Sequence, residues 1–86
     1  MAREITLTGT QDITIEVKEE VVISTETVYV EWVMDYADRA IARVAFSNPP
    51  MYLKDLTLWE GDDYVNIGQW TDQQAMDRIK ELLNVT

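Results

Sequence analysis

Between Val28 and Phe46 the chain alternates with a period of two. Val28, Val30, Trp32 and Met34 fall on one side, and Tyr29, Glu31 and Asp35 on the other. After Tyr36-Ala37-Asp38-Arg39 the alternation resumes, with Ala40, Ala42, Val44 and Phe46 on one side and Arg39, Ile41 and Arg43 on the other. Successive side chains of a strand point to opposite faces, so this is the pattern of two half-buried strands joined by a hairpin turn. A helix over residues 34–45 is the competing reading, because Met, Ala and Arg favour helix. The alternation running through both arms favours the strands, and on that reading Trp32 faces the core.

The residues before Val28 extend the sheet. Ile5 and Leu7, then Ile13, Ile15 and Val17, alternate with polar neighbours around Gly9-Thr10. This predicts a strand pair with a turn at residues 8–11, and Glu19-Glu20 marks a second turn. Val21 and Ile23 are odd-numbered, whereas the apolar set from Val28 is even-numbered. A one-residue slip exchanges the two faces of a strand, so a break or bulge is expected between Ser24 and Thr27.

Ser47-Asn48-Pro49-Pro50 stops the return strand, because proline has no N–H for a ladder. The next strand runs from Tyr52 to Trp59, with Leu56 and Leu58 inward and Trp59 on the opposite face. Glu60-Gly61-Asp62 reads as a turn. Residues 64–69 read as a further short strand with Val65 and Ile67 inward. Thr71 with Gln74 has the spacing of a capping box, and Ala75, Met76, Ile79, Leu82 and Leu83 share one face at helical spacing.

These elements predict an α+β fold in a single domain over residues 1–86, β-rich over 3–70 with a C-terminal helix over 72–84. The expected architecture is an antiparallel, twisted meander of about five to seven strands with one C-terminal α-helix packed on it. The strand at residues 5–7 and that at 64–69 are the expected sheet edges. Unpaired edges template association, so self-association is expected too.

Composition narrows the chemistry. The 86 residues include no cysteine and no histidine. The first absence removes disulfides, thiolate metal sites and a cysteine nucleophile. The second removes the usual general base near neutral pH. No catalytic motif is present, and the chain reads as a non-enzyme without a cofactor. The net charge of −9, from 16 acidic and 7 basic residues, is spread over both halves. Such a surface repels nucleic acid and anionic membrane. No apolar run is long enough to span a bilayer, and the first residues show no basic segment followed by an apolar stretch. The expectation is a cytoplasmic chain.

Two groups of residues are candidates for function. Glu60, Asp62 and Asp63 form an acidic cluster of the kind that suits calcium or magnesium. The calcium-loop spacing fails, however: counted from Asp62, the third, sixth and twelfth positions are Tyr64, Ile67 and Gln73. Tyr29, Trp59, Tyr64 and Trp70 are the candidate partner-binding residues, since Tyr and Trp are favoured at contact hot spots and these four point away from their apolar neighbours or flank the helix cap.

The stretch Leu58-Trp59-Glu60-Gly61-Asp62-Asp63-Tyr64, with Ile67-Gly68-Gln69-Trp70-Thr71-Asp72 and the helix after it, resembles small proteins carried by tailed phages and prophages. The resemblance covers mainly residues 56–83 and implies an accessory or virion-associated role, in a virion or the host cytoplasm. It transfers no catalytic residue. The expected function is a structural accessory or protein-interaction module that forms homo-oligomers. The alternative is an acidic inhibitor that occupies a nucleic-acid-binding protein by imitating phosphate charge.

Overall fold

A computed structural model of the chain describes residues 3–16, 19–46 and 52–86. Four strands and two helices follow one another: β1 (Arg3–Glu16), β2 (Glu20–Asp35), β3 (Arg39–Ala45), β4 (Leu53–Glu60), α1 (Gly61–Ile67) and α2 (Asp72–Leu83). The strands form one antiparallel sheet in the order β1-β2-β3-β4. The α+β class and the antiparallel meander agree with expectation. Among the described residues there are four strands where five to seven were expected, and two helices where one was expected.

The difference in strand number begins in β1. No hairpin forms at residues 8–11; β1 runs through as one strand. Thr6 pairs with Thr27 and Gln11 with Thr25, so four residues of β1 are set against Glu26 alone. A bulge of this kind bends the strand without reversing it. Gly9 takes a φ of +78°, a conformation that glycine adopts without steric cost. The second turn falls between Glu16 and Glu20, which pair with each other. Val17, read as the end of its strand, lies outside the described residues, as does the Pro49-Pro50 strand stop.

The face change expected between Ser24 and Thr27 is present. Val21, Ile23 and Thr25 are the more buried residues of β2 before it, and Val28 and Val30 after it. The Thr25 hydroxyl accepts from the Thr27 N–H at 3.2 Å and donates to the Thr27 carbonyl at 2.9 Å, so it satisfies backbone where the phase shifts. A second irregularity lies between Val30 and Trp32 against β3. It turns the expected core residue Trp32 to the far face and brings Val33 against the core.

The hairpin at residues 36–39 forms as expected. The Tyr36 N–H donates to the Arg39 carbonyl at 2.9 Å, and Ala37 takes a φ of +71°. Ala40, Ala42 and Val44 of β3, and Phe46 just after it, are buried as the alternation predicted.

Residues 64–69 do not form a strand. Gly61–Ile67 is a helix, with Asp62 and Asp63 in its first turn and Gly68 at its C-cap. Acidic side chains suit the positive end of the helix dipole. Tyr64 and Ile67, three residues apart, pack against the core, while Val65 is 74% exposed.

The second helix, α2, starts as its sequence predicts. Thr71 Oγ1 accepts from the Gln74 N–H at 3.2 Å, and Gln74 Oε1 accepts from the Thr71 N–H at 2.8 Å. It ends at Asn84 in the left-handed conformation, and the Val85 N–H donates to the Lys80 carbonyl at 3.0 Å. Ala75, Ile79, Leu83 and Val85 close the core over Ile5, Ile13, Val28, Val30, Val44 and Leu58.

Edge β1 is tied to the C-terminal segment. Thr8 N–H donates to the Thr86 carbonyl at 2.7 Å, and the Gln11 amide group donates to that carbonyl at 2.8 Å while accepting from Thr86 N–H at 2.9 Å. The other edge is β4, since the strand expected after it is a helix.

Candidate functional site

The sheet has two unlike faces. One is covered by α1 and α2. On the other, register places three rows side by side: Tyr29, Ala45 and Leu53; Trp32, Arg43 and Asp55; and Met34, Ile41 and Thr57. Met34 is 47% exposed and Leu53 52%, while Tyr29, Trp32 and Ile41 are half-buried. Ala45, between Tyr29 and Leu53, is buried.

An ion pair lies in the middle of this face. Arg43 Nε donates to Asp55 Oδ1 at 2.7 Å and Nη2 donates to Oδ2 at 3.1 Å. The guanidinium also lies over the Trp32 ring, 5.1 Å from its centroid. Hydrogen bonding to Asp55 raises the Arg43 pKa, and Arg43 holds the Asp55 carboxyl below its ordinary value. The planar fork suits both a carboxylate and an aromatic face.

Three of the four predicted partner-binding residues come together on the helix side instead. The Trp59 and Trp70 rings lie 5.3 Å apart, tilted by 45°, and Tyr64 meets Trp70 edge-on at 6.1 Å. Trp59 was expected opposite Leu56 and Leu58, but it is 8% exposed and belongs to the core. The cause is the irregularity in β4: Ala40 pairs with Trp59 and Ile41 with Thr57, so Leu58 is an extra residue and both it and Trp59 turn inward. Trp70 and Tyr64 keep partial exposure. Tyr29 lies apart from them, on the open face.

The sequence reading missed Trp32, Met34, Ile41 and Leu53 as surface candidates. The alternation assigned Trp32 and Met34 to the core, and the bulge after Val30 reverses that assignment. Ile41 sat on the correct face and Leu53 was assigned to neither, and aliphatic residues there carried no signal that the face was uncovered.

The Tyr64 hydroxyl donates to Asp35 Oδ1 at 2.6 Å, and the Ala37 N–H donates to the same oxygen at 2.8 Å. These donors lower the Asp35 pKa, and the bond to Asp35 raises that of Tyr64. A cavity of about 260 Å³ opens beside them, between the end of β2 and the start of α2. Glu31, Val33, Asp35, Trp70, Asp72 and Ala75 are among its lining residues.

Glu60 ends β4, and Asp62 and Asp63 lie in the first turn of α1, all exposed. Among the described residues no three side chains of metal-binding type converge. The carboxylates of α2 are interleaved with cations: Arg78 lies 3.8 Å from Glu81, and Lys80 3.8 Å from Asp77. No helix among the described residues is long and apolar enough to cross a membrane.

Comparison with family models, with curated proteins and with solved structures finds no match for the chain.

Proposed function

We propose that this chain is a non-enzymatic protein-interaction module of a structural or accessory kind, and that it associates with copies of itself through the open face of its sheet. The observation that carries this reading is the row structure of that face. Tyr29, Trp32, Met34, Ile41 and Leu53 lie together opposite a face already closed by two helices. Tyr, Trp and Met are enriched at interfaces. The central charges, Arg43 and Asp55, neutralise each other within one chain. At the centre two such faces meet over paired charges, which costs less than burying a bare one, and Glu4, opposite Tyr29 on β1, lies exposed at the rim. An isologous pair uses the same patch on both copies, so one surface suffices. The accessory role is the one that the resemblance noted for residues 56–83 implies. The alternative of an acidic inhibitor is weaker, because it needs carboxylates along one continuous face and those of α2 alternate with Arg78 and Lys80.

The test is a dilution series followed by NMR. The resonances of Tyr29, Trp32, Ile41 and Leu53 are expected to shift with concentration while those of Val65 and Leu82 stay fixed. Shifts confined to α1 and α2, or none, would overturn the reading.

A further inference from the structure

Charge is unevenly placed along this chain. From Arg39 to Glu60, through β3 and β4, the sequence holds three basic residues, Arg39, Arg43 and Lys54, and two acidic ones, Asp55 and Glu60. The other four basic and fourteen acidic residues lie outside this segment, which leaves −10 there against +1 within it. In and beside the open face the charges of the segment are matched. Arg43 holds Asp55 at 2.7 and 3.1 Å, and Arg39 lies 3.6 Å from Asp38 and opposite Glu60 in register. The surplus carboxylates stand around that face and behind it. Glu4 is exposed at its β1 rim, and Asp62 and Asp63 are exposed on α1, on the other side of the sheet.

We propose that ionic strength controls self-association through the open face: dilute salt holds the copies apart and added salt lets them join, a switch that rests on the open-face reading above. Coulomb repulsion grows with the product of the charges. Two copies of net charge −9 therefore repel roughly eighty times as strongly as two unit charges at the same distance. The Debye length is about 30 Å at 0.01 M salt and about 8 Å at 0.15 M. The molecule measures 34 × 27 × 23 Å. In dilute salt every carboxylate of one copy thus acts on the other, whereas at about 0.15 M those near the rim dominate. Contact within the face responds differently. The Arg43–Asp55 pair lies in its middle and is covered on association, and salt screens covered pairs much less than exposed ones. Salt therefore removes the repulsion and spares the contact. A contact held by opposite charges on two surfaces has the reverse dependence and weakens as salt rises.

The experiment is sedimentation equilibrium in sodium chloride at about 0.01, 0.15 and 0.5 M, on the wild type, Glu4→Gln, Asp63→Asn and Ile41→Glu. The wild-type association constant is expected to rise at least about a hundredfold across the series, mostly in the first step. Glu4→Gln, at the rim, should raise the constant severalfold in the most dilute salt and leave it unchanged in the most concentrated. Asp63→Asn, behind the sheet, should raise it less. Up to about 0.15 M, sodium sulfate at equal ionic strength should match sodium chloride. A stronger effect of sulfate would assign the rise to strengthened apolar burial and overturn the proposal. A constant that stays level or falls with salt would overturn it too, and would leave the open-face reading in place. Association that survives Ile41→Glu would overturn the open-face reading itself, and the switch with it.

Discussion

The Tyr64 hydroxyl donates to Asp35 Oδ1 at 2.6 Å and so ties α1 to the end of β2. The two groups titrate at opposite ends of the pH scale. The folded-state pKa of Asp35 lies below 3.8, through Tyr64 first and the Ala37 N–H second. Its contribution is present above that ordinary value and is lost as pH falls through the lower folded one. The folded-state pKa of Tyr64 lies above 10.0, through Asp35. Its contribution is present below that value and is lost as pH rises through the higher folded one. Thermal unfolding of the wild type should therefore show both arms. Tyr64→Phe should remove the Tyr64 part of the alkaline arm and shrink Asp35's part of the acid arm to the share held by Ala37, while the part held by Asp55 with Arg43 stays. An unchanged pH profile in the variant would contradict the link.

The Arg43 fork should not be replaceable by lysine. Arg43 bonds both oxygens of Asp55, at 2.7 and 3.1 Å, and stacks on Trp32. Arg43→Lys keeps the charge but loses the planar fork. The Trp32 indole resonance is expected to shift in this variant, while those of Trp59 and Trp70, on the other side of the sheet, hold still. Movement of all three would show a global change instead.

Helix α2 contributes stability through a narrow stripe. Ile79 has no exposed surface, and Leu82 is 39% exposed. Ile79→Ala should cost about 2–5 kcal/mol through lost burial and the cavity left behind. Leu82→Ala should stay within about 0.5 kcal/mol. Urea denaturation of both variants measures the ratio, and similar losses would mean that α2 packs differently.

Thr71→Ala removes the acceptor for the Gln74 N–H and half of the capping box. The expected loss is about 1 kcal/mol, read from the same denaturation curves. Thr71→Asp should recover most of it, since aspartate caps as well and suits the helix dipole.

Where local chemistry acted alone, the elements were legible from sequence. The capping box at Thr71 and Gln74, the hairpin at 36–39 and the alternation of Ala40 to Phe46 needed no distant partner. What the sequence hid was register. Bulges after Val30 and at Leu58 each insert a residue that pairs with nothing and move the following side chains to the other face, whereas across the bulge at Leu7–Thr10 β1 keeps Ile5, Leu7, Ile13 and Ile15 buried and it is β2 that changes phase. Trp32 and Trp59 changed sides for this reason. Residues 61–67 misled differently. Val65 and Ile67 alternate like a strand, yet Asp62-Asp63 and Gly68 bracket one short helix, and the spacing of Tyr64 and Ile67 is helical. The open face was not legible because nothing in the alternation says which side of a sheet the terminal helices will cover.

Static light scattering across a concentration series, on the wild type and on Ile41→Glu, tests the open face most directly. Ile41 lies between Met34 and Thr57 on that face, and its side chain points away from the helix-covered core. The wild type is expected to give a mass that rises from 10.0 kDa to a multiple of it, and Ile41→Glu to stay at the single-chain mass with an unchanged circular dichroism spectrum. A wild type that remains at 10.0 kDa at the highest concentration would contradict self-association through this face.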